Sequence, residues 1–223
     1  MSVLIAIPAR GGSKRLRRKN IMPLKGKPMI VYTIEAAIKS KLTNEIWVCT
    51  DDDEIENIAL GQNVNVYKIP QNMAEDNISS TVPCISLIKH LKLDNKNFKY
   101  LYNLQPTSPL RNSQDIIDSL NTIKKSNADF LVSVTDIDPH YFHWAMTGKG
   151  NDWRMFFGGK FMKERIYLDN FYRPNGAIKL AKINNLLEDK NFFGKNLTVH
   201  HMPDERSIHV GNRFDFECVK SFI

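Results

Sequence analysis

Short apolar runs alternate with amphipathic stretches along most of this chain. Val3 to Pro8 is an unbroken apolar run, the pattern of a strand buried on both faces. A loop is expected from Ala9 to about Lys25. Between Pro28 and Lys41, the residues Met29, Tyr32, Ile34, Ala37 and Ile38 fall near helical spacing. Glu45 to Thr50 reads as a second strand. Asp51 to Leu60 reads as a helix whose acidic first turn complements the positive end of its dipole. Val64 to Ile69 is a third strand, Thr81 to Leu93 a helix, and Tyr100 to Leu104 a strand. Asp115 to Ser126 is a further helix and Phe130 to Val134 a further strand. This alternation predicts βαβ units around a mostly parallel sheet, an α/β Rossmann-like fold. In such sheets ligands bind beyond the carboxyl ends of the strands.

The pattern weakens between Pro139 and Tyr172, where aromatics, glycine and charge mix without a period, and resumes at Asn175 to Leu180. His200 and His201, beside Met202, fall in one more strand. The 223 residues therefore read as a single domain, 1–223, with an inserted arm at about 139–172. The N-terminal apolar run is too short for a signal peptide or a membrane span. Cys49, Cys84 and Cys218 are odd in number and widely spaced, so neither a disulfide framework nor a cysteine metal site is expected. A reducing cytoplasm is the expected setting.

Composition is that of a globular protein, 42% apolar and 25% charged. The net charge of +7 favours anionic partners. No aromatics interleave with the basic residues, so a single-strand nucleic-acid binder is not expected. The charge concentrates instead: Arg10, Lys14, Arg15, Arg17, Arg18 and Lys19 share one loop with Gly11 and Gly12. Such density suits a small polyanion such as a nucleoside triphosphate. Two glycines allow backbone N–H groups to approach phosphate oxygens, and Arg10 and Lys19 add charge-assisted bonds from either end. The spacing is neither that of a Walker loop nor GxGxxG. A basic Gly-Gly loop alone is an ordinary solvated turn; its place after the first buried strand makes it a phosphate cradle.

The segment Pro8 to Asn20, PARGGSKRLRRKN, resembles the signature of the acylneuraminate cytidylyltransferases, which activate sialic-acid-type nonulosonates as CMP-sugars. The resemblance continues in order through Thr50-Asp51-Asp52, Ser79-Ser80, Leu104 to Arg111 (LQPTSPLR), Tyr172 to Ile178 (YRPNGAI), Phe192-Phe193 and Arg206-Ser207-Ile208. It implies a nucleotide-diphospho-sugar transferase fold and transfer of CMP from CTP to a nonulosonate, with release of pyrophosphate. It also implies roles. Arg10, Ser13, Lys14 and Lys19 would hold the triphosphate over Gly11 and Gly12, with Arg10 and Lys19 catalytic. Asn20 and Ser80 would place the nucleotide. Gln105, Arg165, Arg173, Asn175 and Gly176 would meet the acceptor. Mg²⁺ is the implied cofactor, and a homodimer joined through the arm is the implied assembly.

The chain departs from that pattern in two places. Where the family tail carries two metal-holding aspartates, this chain has His209 and Gly211. Imidazole is a poor ligand for magnesium, so the metal site is left open. In the acceptor region, Ile166 follows Arg165, Tyr141 stands where a lysine is usual, and Lys179 replaces an aromatic. Three readings remain: an active cytidylyltransferase with a rearranged site, a nucleotidylyltransferase for another acceptor such as Kdo or a sugar phosphate, and a silent nucleotide-binding homologue. Other clusters have plainer explanations beside the chemical ones. The acidic run Asp51 to Glu54 suits a helix start as well as a metal. Asp136 and Asp138 suit a turn before Pro139 as well as a carboxylate pair. Trp144, Trp153, Phe156 and Phe157 suit a dimer contact as well as a sugar platform. His200, His201 and His209 lack the tight spacing of a metal site.

Overall fold

The computed structural model describes residues 2–13, 15–93, 98–158 and 170–223. The expected β1 is Val3–Pro8. A small hairpin follows, β2 (Pro23–Leu24) with β3 (Lys27–Pro28), then α1 (Met29–Ser40), β4 (Ile46–Thr50), α2 (Asp53–Gly61) and β5 (Asn65–Lys68). Next come α3 (Thr81–Leu93), β6 (Tyr100–Asn103), α4 (Ser113–Ser126) and β7 (Phe130–Ile137). The weak-pattern segment holds α5 (Pro139–His143) and a hairpin of β8 (Met146–Lys149) and β9 (Asp152–Met155). The chain ends through β10 (Phe171–Lys182), α6 (Ile183–Asp189), β11 (Leu197–His201) and α7 (Arg213–Ser221).

Seven strands form one sheet in the order β11-β7-β10-β6-β1-β4-β5. It is mostly parallel, as the alternation predicts, but β10 runs antiparallel to both neighbours. The β10 pairing extends well past Asn175 to Leu180 at both ends, and its register shifts between Pro174 and Lys179.

Strand alternation sorts the core onto two faces. Ile5 and Ile7 of β1 pack with Ile30 and Ile34 of α1 and Ile116 and Leu120 of α4. Leu4 and Ala6 pack with Leu87 and Leu91 of α3 and Leu186 of α6. All four β1 side chains are fully buried, which is why the run carries no polar position. A third cluster, Leu24, Met29, Val210, Phe216 and Val219, ties the β2–β3 hairpin and α7 to the basic-loop end of the molecule.

Local chemistry fixes the helix ends. Asp52 caps α2 by accepting from the N–H groups of Glu54 and Ile55, both at 3.0 Å. The helix therefore starts at Asp53, later than the acidic run suggests. Asn112 and Asp115 form a reciprocal capping box at α4, and Asn212 and Asp215 form one at α7. Asp138 accepts from His140 N–H at 3.0 Å at the start of α5, the turn role weighed above. Among the described residues no helix is long and apolar enough to cross a membrane.

Candidate active site

The basic loop opens beyond the carboxyl end of β1, and a pocket forms there against the ends of β4 and β6 and the start of α3. Arg10, Lys19, Ser80, Gln105, Thr107 and His209 line it, with Asn20 at its wall. The sequence places these residues far apart; the parallel β1–β4 and β1–β6 pairings bring the three strand ends together.

The loop is built by specific bonds. Gly11 N–H donates to Asp51 Oδ1 at 2.9 Å, and a Cβ on Gly11 would lie 2.4 Å from Asp52 Oδ2, so only glycine fits. Asn20 is buried and donates its Nδ2 to the Arg10 carbonyl at 2.9 Å, bracing the two ends of the loop. Arg10 is on the pocket wall but also tied down: it donates to the Ala74 carbonyl at 3.0 Å and pairs with Asp76 at 2.5 Å. Gly12 and Ser13 line a neighbouring groove with Arg10 and Asp76. Arg18 faces away into Asp52 and Glu54, so its charge is neutralised within the protein. Of the acidic run, Asp51 and Asp52 thus serve the loop and the helix cap. Lys14 lies outside the described residues.

Lys19 carries the pocket's charge. Burial first, then Arg15 and Arg10, push its ammonium pKa below the usual lysine value. Ser80, at the start of α3, is fixed by Asn103, whose Nδ2 donates to Ser80 Oγ at 3.0 Å. Gln105 follows β6, and its carbonyl accepts from Arg111 at 3.3 Å.

Arg111 is a residue whose role the sequence does not disclose. It is 2% exposed and also donates to the Ala177 carbonyl at 2.9 Å, joining the Gln105 turn to β10. Burial pushes its pKa down to about 10. The only sequence signal is an arginine closing LQPTSPLR.

The acceptor residues divide. Gln105 faces the pocket. Gly176, at φ +76°, backs onto His209. Asn175, expected at the acceptor, is buried. Its Oδ1 accepts from Ser133 Oγ at 2.5 Å and Ala177 N–H at 3.1 Å, and its Nδ2 donates to Ser207 Oγ at 2.9 Å, so the amide is spent inside the fold. Arg173 lines a separate groove with Asp136, Asp138, Tyr141, Asp204 and Glu205. Arg165 and Ile166 lie outside the described residues.

The tail is the main surprise. His209 Nδ1 sits 3.3 Å from both Thr107 Oγ1 and Ser108 Oγ. Burial, then Lys19, with Lys179 and Arg15 acting in the same direction, push its pKa down to about 4 against the opposing pull of Asp215. Gly211 N–H donates to Asp215 Oδ2 at 2.7 Å, and that same oxygen accepts from Asn212 N–H at 3.0 Å. A neutral imidazole ringed by cations, beside a carboxylate already holding two N–H groups, does not suit a protein-seated Mg²⁺. Among the described residues no group of three or more His, Cys, Asp or Glu is arranged to hold a metal. His201 pairs instead with Asp136 at 3.1 Å, away from His209.

Trp144 and Trp153, expected in an arm, do not line this pocket. Trp144 stacks on His140 with centroids 4.0 Å apart, and Trp153 donates to the Gly150 carbonyl at 2.8 Å.

Comparison with known proteins agrees with the geometry. The family model described as cytidylyltransferase matches residues 4–146. The chain is 33% identical over 219 residues to the N-acylneuraminate cytidylyltransferase of Escherichia coli O18:K1:H7 (strain RS218 / NMEC), covering 96% of this chain and 50% of that protein. It is 28% identical to the pseudaminic acid cytidylyltransferase of Campylobacter jejuni subsp. jejuni serotype O:23/36 (strain 81-176), covering 99% of this chain and 95% of that protein. The chain thus spans about half the length of the N-acylneuraminate relatives it matches, and nearly all of the pseudaminic acid relative. Its fold is similar to that of CMP:2-keto-3-deoxy-manno-octonic acid synthetase solved with CTP. The TM-score is 0.74 at 16% identity, covering 99% of this chain and 98% of that one.

Proposed function

Because this chain belongs to the cytidylyltransferase family, we propose that it transfers CMP from CTP to a sialic-acid-type nonulosonate and releases pyrophosphate. The observation that carries this reading is the convergence of Arg10, Lys19 and Asn20 with Ser80, Gln105 and His209 at one set of strand ends. The relatives named for N-acylneuraminate and pseudaminic acid support the acceptor class.

In this reading a sugar hydroxyl attacks the α-phosphorus. A new P–O bond forms, the bond to the bridging oxygen breaks with pyrophosphate as the leaving group, and the hydroxyl proton passes to solvent. No covalent enzyme intermediate is needed; positioning and charge stabilisation supply the catalysis. Lys19 is the cation for phosphate oxygens. Arg10 joins it by exchanging Asp76 for phosphate. Asn20 holds the loop's two ends, and Ser80 and Gln105 face the nucleotide and sugar. Any divalent metal would be held by the nucleotide and not by this chain's side chains, and would supply charge neutralisation.

We place the enzyme in the cytoplasm as a homodimer. Support for the dimer is the apolar surface of the arm: Tyr141, Trp144, Met146, Trp153 and Phe156 are all exposed.

A second reading rests on one observation. The tail places a neutral histidine under the influence of Lys19, Lys179 and Arg15, so a nucleotide-binding homologue without turnover fits too. A pyrophosphate-release assay with CTP and a panel of nonulosonates, Kdo and sugar phosphates separates the readings. Turnover with a nonulosonate supports the proposal. Turnover only with Kdo or a sugar phosphate moves the acceptor, and binding without turnover selects the silent homologue. Thermal shifts with CTP, UTP, ATP and GTP test base choice, and equal shifts for all four would count against a cytidine pocket. Lys19→Ala should cost about 2–4 kcal/mol of transition-state stabilisation, roughly 30- to 1000-fold in turnover, with the fold intact.

A further inference from the structure

Lys179 lies directly across from Asn103 in the β10–β6 pairing. Cross-strand partners project to the same face of a sheet. Asn103 is the neighbour of Ala6 in β1, and Ala6 packs on the α3 side. Lys179 therefore stands on the α3 face, one strand over from the residue that fixes Ser80 in the pocket wall.

Its surroundings are unusual for a lysine. The residue is half-buried, and among the described residues its ammonium makes no hydrogen bond and no ion pair. Burial lowers its pKa, and the one group opposing that shift is the Cys84 thiol. Burial pushes that thiol up to about 12, so it is uncharged and offers no counter-ion. Lys179 also acts electrostatically on His209, which lines the pocket and feels Lys19 as well. A part-buried cation without a counter-charge costs stability, and an anion brought to it would offset that cost.

We propose that Lys179 forms an anion-accepting subsite bordering the pocket, one strand over from the residue that holds Ser80 in its wall, that binds the carboxylate of the sugar acid. This rests on the sugar-acid reading of the pocket. A phosphate of the nucleotide shares the same chemistry and is the other source of the anion. The position favours the carboxylate, because Lys19 and Arg10 already serve the phosphate side at the loop. An acceptor with its carboxylate removed then loses this contact, whereas a neutral wall there would accept it unchanged.

Competitive lysine acylation read by mass spectrometry tests this without requiring turnover. The full chain is labelled alone, with CTP, with N-acetylneuraminate, and with the methyl ester of that sugar. At about ten times Kd a bound ligand leaves roughly a tenth of sites open, so labelling of a contacted lysine falls about ten-fold. The expected result is protection of Lys179 by the sugar acid and not by its ester, with Lys19 protected by CTP. Protection of Lys179 by CTP alone assigns the anion to the nucleotide phosphate and overturns the carboxylate assignment. No protection of Lys179 in any arm, with Lys19 protected by CTP, overturns the subsite and leaves the nucleotide reading standing. Lys179 protected by the sugar acid with Lys19 unprotected by CTP does the reverse. A second variant guards against a purely structural role. Lys179→Met should raise the melting temperature and raise the acceptor KM roughly ten- to hundred-fold with the CTP KM unchanged. Lys179→Arg should recover part of that loss. A Lys179→Met protein that melts lower and keeps its acceptor KM would show that the ammonium serves the fold.

Discussion

Gly176 and His209 are in direct contact: a Cβ built on Gly176 would lie 2.9 Å from His209 Nδ1. The Gly176 backbone is also left-handed, at φ +76°. Gly176→Ala should therefore lower stability by about 1–3 kcal/mol through backbone strain and displacement of the ring. Gly12→Ala is the control, because its Cβ would meet nothing within 4 Å. Urea denaturation should show a large shift for the first and less than about 0.5 kcal/mol for the second. Equal shifts would mean that the contact with His209 is not what fixes this turn.

The depressed histidine gives a pH dependence with a definite sign. His209 has a folded pKa of about 4 against an ordinary 6.5. Between these values the unfolded chain binds the proton and the folded one does not, so stability falls as pH drops from 6.5 towards 4. The loss should reach about 2–3 kcal/mol by pH 4. His200 is also lowered by burial and adds in the same direction, so the wild type must be compared with His209→Asn. The variant should lose less stability between pH 7 and pH 4.5 in guanidinium titrations. Parallel losses in the two proteins would contradict the assignment.

Asp52 performs two tasks, capping α2 and holding Arg18. Asp52→Ala should cost about 1–2 kcal/mol, mostly from the cap. Arg18→Ala should cost under about 1 kcal/mol, because that pair is partly solvated. Chemical denaturation of both single variants and the double variant checks the ranking. A larger loss for Arg18→Ala would mean that the loop, and not the helix cap, depends on the pair.

Arg111 braces two carbonyls from inside the protein. Arg111→Ala should lose about 3–5 kcal/mol, from a cavity and from two acceptors left short of a donor. Equilibrium unfolding followed by circular dichroism measures it. A loss below about 1 kcal/mol would mean that water replaces the guanidinium.

Much of the fold can be read from local pattern. The apolar run Val3–Pro8 is legible because a strand buried on both faces tolerates no polar residue, and Met29–Ser40 is legible because its apolar positions fall near helical spacing. The basic loop at the pocket is legible because its glycines and cations are contiguous. The ends of the chain are harder. Helix α7 buries only Phe216 and Val219 of its nine residues, too few to mark a face, and α6 is too short for a period.

The sequence by itself determined the α/β class, the place of the basic loop after the first strand, and the departures at His209 and Gly211. Only the tertiary structure decided which loop cations line the pocket. Arg18 is spent on Asp52, 34 positions away, while Lys19 and Arg10, the latter paired with Asp76, line the pocket. Only the structure made Asn175 an internal brace and set Lys179 opposite Asn103. The reason is physical. Periodicity records which side of an element is dry, and that is local. Ion pairing, strand neighbours and pKa depend on groups that the sheet brings together from distant parts of the chain.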